Sequence, residues 1–208
     1  QALLRKGIAL DRFLQNILID KNIKLDDLIV GDKNALIIRS RITGYGSEYI
    51  TNVTCPTCSA NQEYEFNLEE ANLVTATDLL ESGVNIQDDG TILFELPETK
   101  ATVYVRMMTG KDEKELLRRQ NVNKKVKLPS SFLTDQLKML IVSINGRTER
   151  HLIGQFVDSM PAKDSRYLRS NYAKSLPTLD LTQHFSCTEC DYSQDMEVPF
   201  TTDFFWPR

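Results

Sequence analysis

All four cysteines of this chain belong to two Cys-x-x-Cys motifs, Cys55-Pro56-Thr57-Cys58 and Cys187-Thr188-Glu189-Cys190. Four thiolates presented as two such pairs form the usual ligand set of a tetrahedral zinc ion. The pairs are separated by 128 residues, 59 to 186. A shared ion would therefore join parts of the chain that are distant in sequence, and this restricts the fold more than any other feature.

The two motifs lie in matching surroundings. One offset of 132 residues (187 minus 55, 194 minus 62) places the second motif on the first and Gln194 on Gln62. In each copy, strand-like sequence leads into the motif, and a segment of alternating apolar and polar residues follows it. Each copy is predicted to be a zinc knuckle, and the two knuckles together are predicted to form a zinc ribbon split across the chain.

Two other uses of the cysteines are weighed against zinc. A redox-active Cys-x-x-Cys normally begins a helix, whereas strand-like sequence follows both motifs here. Disulfides require an oxidising compartment, and the charged, amphipathic start of the chain does not indicate secretion. Zinc held by Cys55, Cys58, Cys187 and Cys190 is therefore the favoured prediction, with disulfides or free thiols as alternatives.

Composition limits the class of protein. The chain has 208 residues, 41% of them hydrophobic, so it can bury a sizeable core without help from a metal. No apolar run approaches the roughly 18 residues of a membrane-spanning helix, so no membrane association is expected. The net charge of −4 predicts no general attraction to nucleic acid or acidic lipid.

The predicted fold is α+β: a zinc ribbon from two sequence-distant knuckles, with a β-hairpin, a mainly helical insert and N-terminal helices. The N-terminal helices are an amphipathic helix over 3–19 and a second helix capped by Asp32 and ending at Gly44. The predicted divisions are N-terminal helices in 1–48, the split ribbon in 49–67 and 182–200, the insert in 68–181 and an aromatic tail in 201–208.

Within the insert, Asn67 to Glu70 have the order of a capping box. Alternation predicts a hairpin with strands at 91–96 and 101–107. Helices are predicted over 110–121, after a Thr109 cap, and near 148–159 and 162–175. A further helix, capped by Ser130 or Ser131 and closed by Gly146, is predicted from residues that would share one face: Leu133, Leu137, Leu140, Ile141 and Ile144.

No catalytic constellation is found. Thr109-Gly110-Lys111-Asp112 resembles the end of a phosphate loop, but it lacks the earlier glycine and the final hydroxyl, so helix capping explains it better. His151 is not part of a metalloprotease motif, and His184 could replace a thiolate only if the four cysteines did not already fill the site. A zinc ion with four thiolates has no open position for a substrate. The chain is predicted not to be an enzyme.

Three features are candidates for contacts with other proteins. They are the N-terminal amphipathic helix, the terminal cluster Phe204, Phe205 and Trp206, and a basic strip of Arg118, Arg119, Lys124, Lys125 and Lys127. Packing on the chain's own core is the alternative for the helix and for the aromatic cluster, and a solvated face is the default for the strip.

Several short stretches resemble one known family. Gly31-Asp32-Lys33-Asn34-Ala35-Leu36 followed by Gly44-Tyr45-Gly46 and Cys55-Pro56-x-Cys58 is similar to the opening of the baseplate hub proteins of T-even-type contractile-tailed bacteriophages. Thr109 to Glu113 and Pro161 to Arg169 are similar to that family as well. The resemblance implies a non-enzymatic part of the tail baseplate, made in the host cytoplasm, whose functional positions are the four cysteines.

The expected function is therefore a structural or assembly component of a phage baseplate hub, acting through contacts with other baseplate or tail proteins on a zinc-stapled scaffold. The alternative from another class is a zinc-ribbon accessory factor that binds nucleic acid in replication or transcription. Glu63 and Glu65 beside the first motif, and Asp195 and Glu197 after the second, would repel phosphate. A metal-dependent hydrolase is a third hypothesis and would require fewer than four thiolate ligands.

Overall fold

The computed structural model describes residues 6–125, 132–199 and 204. It has a mixed α+β architecture, as predicted. The helices in these residues are α1 Lys6–Ile17, α2 Val30–Tyr45, α3 Ala76–Glu81, α4 Gly110–Lys125, α5 Phe132–Leu140, α6 Arg150–Ser159 and α7 Ala162–Lys174. The strands are β1 Glu48–Thr54, β2 Asn61–Asn67, β3 Asn72–Val74, β4 Ile92–Glu95, β5 Thr102–Val105, β6 Ile141–Ile144, β7 Thr178–Asp180, β8 Thr182–Ser186 and β9 Ser193–Glu197.

The chain divides into two compact units. The first comprises 1–25, 31–74 and 178–208, and the second comprises 26–30 and 75–177. Apart from residues 26–30, the chain enters the second unit after Val74 and returns to the first at Thr178. The divisions expected from the sequence stay a prediction.

Three antiparallel strand pairs build the first unit. β1 pairs with β2 and β8 pairs with β9, so each knuckle is the tip of a hairpin. The short pair β3–β7 joins the two segments where the chain leaves this unit and returns to it. Buried and exposed residues alternate along β1, so that Tyr49 and Val53 face a core that also contains Phe66 and Phe185.

A three-stranded sheet and several helices build the second unit. The strand order is β4-β5-β6, and Ile92, Val103 and Leu140 belong to one buried cluster with Leu168 of α7. The turn between β4 and β5 is held by Asp164, which is fully buried and accepts hydrogen bonds from the backbone N–H of Glu98 (2.7 Å) and Thr99 (3.0 Å).

The prediction of one helix from about residue 131 to 144 is wrong in its last four residues. α5 ends at Leu140, and Ile141 to Ile144 form the edge strand β6, which pairs with β5. Asn145 and Gly146 then take positive φ values of 49° and 78°, as a type I′ turn requires. The apolar positions share a helical face in the sequence, but the β-branched residues and the Asn-Gly turn favour a strand.

Other predicted elements are confirmed with shifted ends. The hairpin forms with shorter strands, α6 and α7 lie where expected, and Asn67 caps the helical turn Leu68–Glu70 through its side chain. α2 begins at Val30, so Asp32 lies in its first turn rather than at its cap. α4 continues to Lys125, beyond the expected end at 121. The caps expected at Ser130 or Ser131 lie outside the described residues.

Candidate metal centre

The two knuckles have matching backbone geometry. The N–H of Cys55 donates to the carbonyl of Ala60 at 2.8 Å, and the N–H of Cys187 donates to the carbonyl of Tyr192 at 2.9 Å. Both hydrogen bonds span five residues and close the Cys-x-x-Cys loop between two antiparallel strands. The repeat seen in the sequence is therefore also a repeat of local structure.

The four sulfur atoms converge at the tips of the two hairpins. All four Sγ atoms lie within 4.8 Å of one another, with 3.8 Å between Cys55 and Cys190 and 3.7 Å between Cys58 and Cys187. Four sulfurs placed tetrahedrally at about 2.3 Å from a zinc ion would be separated by about 3.8 Å. The donor set and its spacing fit a metal ion of this kind, so the cluster can hold one.

The geometry is less suited to the alternatives for these cysteines. All four cysteines are free, and a disulfide would bring two sulfurs to about 2.0 Å. A redox pair is normally followed by a helix, whereas strands β2 and β9 follow the two motifs. His184 does not belong to the sulfur cluster, because its Nδ1 lies 3.1 Å from Asp195 and its Nε2 lies 2.9 Å from the Ser193 hydroxyl.

The thiols influence each other's ionisation. The backbone N–H of Cys58 lowers the pKa of Cys55 to about 7. The backbone N–H of Tyr192 lowers the pKa of Cys190, but burial and the neighbouring sulfurs raise it more, to about 12. Several thiolates so close together repel one another, and a bound cation would remove this obstacle to full deprotonation.

Side-chain hydrogen bonds tie the two hairpins together beside the sulfurs. Gln62 in β2 donates to the carbonyl of Ser186 (3.0 Å) and accepts from the N–H of Thr188 (2.8 Å). Further along, Gln183 in β8 exchanges two hydrogen bonds with the backbone of Asn67, at 2.6 and 3.1 Å. Neither glutamine was predicted from the sequence to link the hairpins. The sequence showed only that Gln62 aligns with Gln194.

An aromatic layer supports the hairpins below the sulfur cluster. The ring of Tyr64 lies 5.0 Å from Phe66 and 5.0 Å from Phe185, and Phe185 lies 6.2 Å from Tyr192. The Tyr64 hydroxyl also donates to the carbonyl of His184 at 3.0 Å. The cluster thus has a packed inner side, where Cys55 is buried, and an outer side, where Cys58 is exposed.

The residues expected to contact partners differ in their placement. Phe204 is 3% exposed and packs edge-on against Tyr49 with ring centroids 5.1 Å apart, so its side chain lies in the core of the first unit rather than on a surface. Phe205 and Trp206 lie outside the described residues. In α1, Leu14 is fully buried, whereas Phe13 is 41% exposed and Ile17 is 44% exposed.

Arg41 holds Phe204 in place and was not identified from the sequence. Its guanidinium is buried and donates to three carbonyls: Phe204 at 2.6 Å, Gly46 at 2.7 Å and Glu48 at 3.0 Å. Burial lowers its pKa. An arginine inside a helical pattern has no sequence signal that separates this role from exposure to solvent.

The segment that resembles a phosphate loop is a helix cap, as predicted. The N–H of Thr109 donates to the Asp112 carboxylate at 2.9 Å, and Arg106 Nη2 donates to the same group at 2.8 Å. Burial raises the pKa of Asp112, but these hydrogen bonds outweigh it and lower the pKa to about 2.

His151 is exposed. Arg118 and Arg119 of the basic strip both pair with Glu115, and the other three side chains of the strip lie outside the described set.

None of the helices in the described residues is both long enough and apolar enough to span a membrane.

Comparison with known proteins matches the chain to a protein family. Residues 7–206 match the model of a family described as T4 bacteriophage base plate protein. The matched range covers nearly the whole chain and includes both Cys-x-x-Cys motifs. Among curated proteins and among solved structures, nothing matches the chain.

Proposed function

The chain belongs to the T4 bacteriophage base plate protein family, and on that premise we propose that it is a non-enzymatic structural or assembly component of the baseplate hub. Its site of action is then the tail of the virion, after assembly in the host cytoplasm. It acts by presenting fixed surfaces to other baseplate or tail proteins. The zinc-stapled ribbon is the part of the fold that fixes them.

The observation that carries this proposal is the convergence of four sulfurs from segments 128 residues apart. Cys55 and Cys58 on one hairpin and Cys187 and Cys190 on the other would hold a zinc ion, which supplies a rigid electrostatic cross-link. The hydrogen bonds of Gln62 orient the second knuckle toward the first. Together these contacts fix the two points between which the chain makes its long excursion.

Exposed apolar side chains near the N-terminus support contacts with partners. Ile19 is 99% exposed, and Phe13, Ile17 and Ile23 are each about 40% exposed. Phe13 and Ile17 lie on α1, and Ile19 and Ile23 follow it; exposed apolar side chains are common where one protein docks on another. The N-terminal helix is therefore the part of the first unit that we propose as a partner contact.

The test is a double substitution, Cys187→Ser with Cys190→Ser, in the full chain expressed during phage infection. We expect unchanged helical circular dichroism, loss of bound zinc, and loss of co-purifying tail proteins by mass spectrometry. Thr57→Ala is the matched control, because it changes an exposed knuckle residue without removing a sulfur. Normal incorporation of the serine variant into tails without metal would contradict the proposal.

Nucleic-acid binding is not favoured by the ribbon surface. The exposed residues of both hairpins include Glu63, Glu65, Asp195 and Glu197, and neither hairpin contains a lysine or arginine. Such a surface repels phosphate.

A further inference from the structure

Charge is strongly segregated along this chain. Residues 42–99 contain eleven Asp and Glu and no Lys or Arg, and residues 175–199 contain five Asp and Glu and again no Lys or Arg. Residues 100–174 contain sixteen Lys and Arg against seven Asp and Glu, a net charge of +9 (16 minus 7). The total of −4 therefore conceals two regions of opposite sign.

Part of the acidic region lies on the exposed face of the β1–β2 hairpin. On β1 and β2 the exposed side chains include Glu48, Glu63 and Glu65, and Ile50, which is 57% exposed, lies opposite Glu65. Among the described residues, none of these three glutamates forms an ion pair. The face therefore combines an exposed apolar side chain with three glutamates that form no ion pair with the described residues.

The basic region includes the outer side of one helix, on which Lys163 is already paired with Glu98 at 3.0 Å. The buried side of α7 carries Asp164, Leu168 and Tyr172, spaced four residues apart. Its opposite side carries Lys163, Arg166, Arg169 and Lys174. Arg166 and Lys174 are exposed and form no ion pair with the described residues, and Asp164, the one acidic residue of α7, is buried.

We propose that the acidic outer face of the β1–β2 hairpin docks on the basic outer face of α7 in a second copy of this chain. Each copy carries both faces, so the contact joins two different surfaces of two molecules. Where a pair does not make both contacts at once, the contact propagates into a ring or a filament. Opposite charges accelerate the encounter and fix the orientation, and Ile50 supplies apolar contact.

The contact is tested by sedimentation velocity of the purified full chain over a range of concentrations. Because the attraction is electrostatic, we expect self-association at about 50 mM salt that weakens at least about tenfold at about 500 mM. A chain that stays monomeric at low salt up to about 100 µM would overturn the proposal.

Charge reversal identifies the two faces. Glu63→Lys with Glu65→Lys reverses the ribbon face, and Arg166→Glu with Lys174→Glu reverses the helix face. Each variant alone is expected to be monomeric, because its two faces then carry the same sign. An equimolar mixture is expected to associate again, because each reversed face meets a face of opposite sign on the other variant.

The control is Lys111→Glu with Arg147→Glu, which reverses two exposed basic residues outside α7. It is expected to self-associate as the unchanged protein does, and thermal unfolding monitors the fold of every variant. Association that survives either face reversal, or a mixture that stays monomeric while both variants are folded, would overturn the proposal.

Discussion

At the scale of single residues, the buried charged groups of this protein form hydrogen bonds with the backbone. Arg41 donates to backbone carbonyls, and Asp164 accepts from backbone N–H groups. Asp112 accepts both from Arg106 and from the N–H of Thr109. In each case the charged group joins segments distant from it or caps a helix. Removing one partner leaves buried polar atoms without a hydrogen bond. This lowers the free energy of unfolding by more than the hydrogen bond itself contributed.

Replacing Arg41 tests this at the C-terminal end of the chain. Arg41→Ala leaves the carbonyls of Phe204, Gly46 and Glu48 without their donor, so we expect a loss of about 2–4 kcal/mol in the free energy of unfolding. Arg39→Ala removes an exposed arginine of the same helix and is expected to change it by less than about 0.5 kcal/mol. Urea denaturation measures both, and equal effects would contradict the role of Arg41.

Asp112 makes stability depend on acid pH. Its pKa is lowered from 3.8 to about 2 in the folded protein, so its contribution is fully present above about pH 4 and is lost as pH falls through 2. The shift corresponds to about 2 kcal/mol. Asp112→Asn should unfold more easily at pH 7 by about that amount. The difference should shrink between pH 4 and pH 2, and a constant difference across that range would contradict the assignment.

At the scale of elements, turns and side-chain cross-links decide the local structure. Gly146 and Gly154 have open space around the position of a Cβ atom, but only Gly146 has a positive φ, 78°. Gly146→Ala is therefore expected to destabilise the protein by about 1–2 kcal/mol, because an L-residue is strained there. Gly154→Ala, in α6, is expected to stabilise it by about 0.5–1 kcal/mol. Thermal unfolding distinguishes them, and the same sign for both would contradict the turn.

The same turn shows what the sequence predicts and what it does not. The apolar spacing from Leu133 to Ile144 satisfies a helical pattern, and the Asn145-Gly146 signal competes with it. A strand forms because Ile141 and Ile144 pair with β5, and this pairing depends on tertiary structure. α4, α6 and α7 carried no competing signal, and their ends were predicted to within about four residues, whereas α3 was not predicted.

Gln62 and Gln194 give a test of the link between the hairpins. They occupy equivalent positions in the two knuckles, but Gln62 bonds to the opposite hairpin, whereas the Gln194 side chain accepts from Tyr192 in its own hairpin. If zinc is held here, Gln62→Ala should weaken its affinity by about tenfold or more, because residues that orient ligands have effects of this size. Gln194→Ala should not. Chelator competition measures both affinities, and equal values would contradict this role of Gln62.

At the scale of the whole molecule, the decisive arrangement was predictable from spacing alone. The paired Cys-x-x-Cys motifs and their common offset predicted that two distant segments meet, and all four sulfurs are indeed close together. The cross-links by Gln62 and Gln183, and the burial of Phe204 under Arg41, were not predictable. They arise from residues that become neighbours only after the hairpins have formed.

The two ends of the long excursion are joined more than once. β3 and β7 pair where the chain leaves the first unit and returns, and the knuckles meet further along the same segments. A zinc ion would add a cross-link that does not depend on burying apolar area. It would hold the paired segments in one geometry while other proteins bind, which is the property that a structural component of a baseplate requires.

The most direct test of the zinc cross-link is zinc X-ray absorption spectroscopy on the purified full chain, combined with native mass spectrometry for stoichiometry. We expect one zinc ion per chain with four sulfur ligands at about 2.3 Å. A folded chain that binds no metal, or a spectrum with fewer than four sulfur ligands, would contradict it.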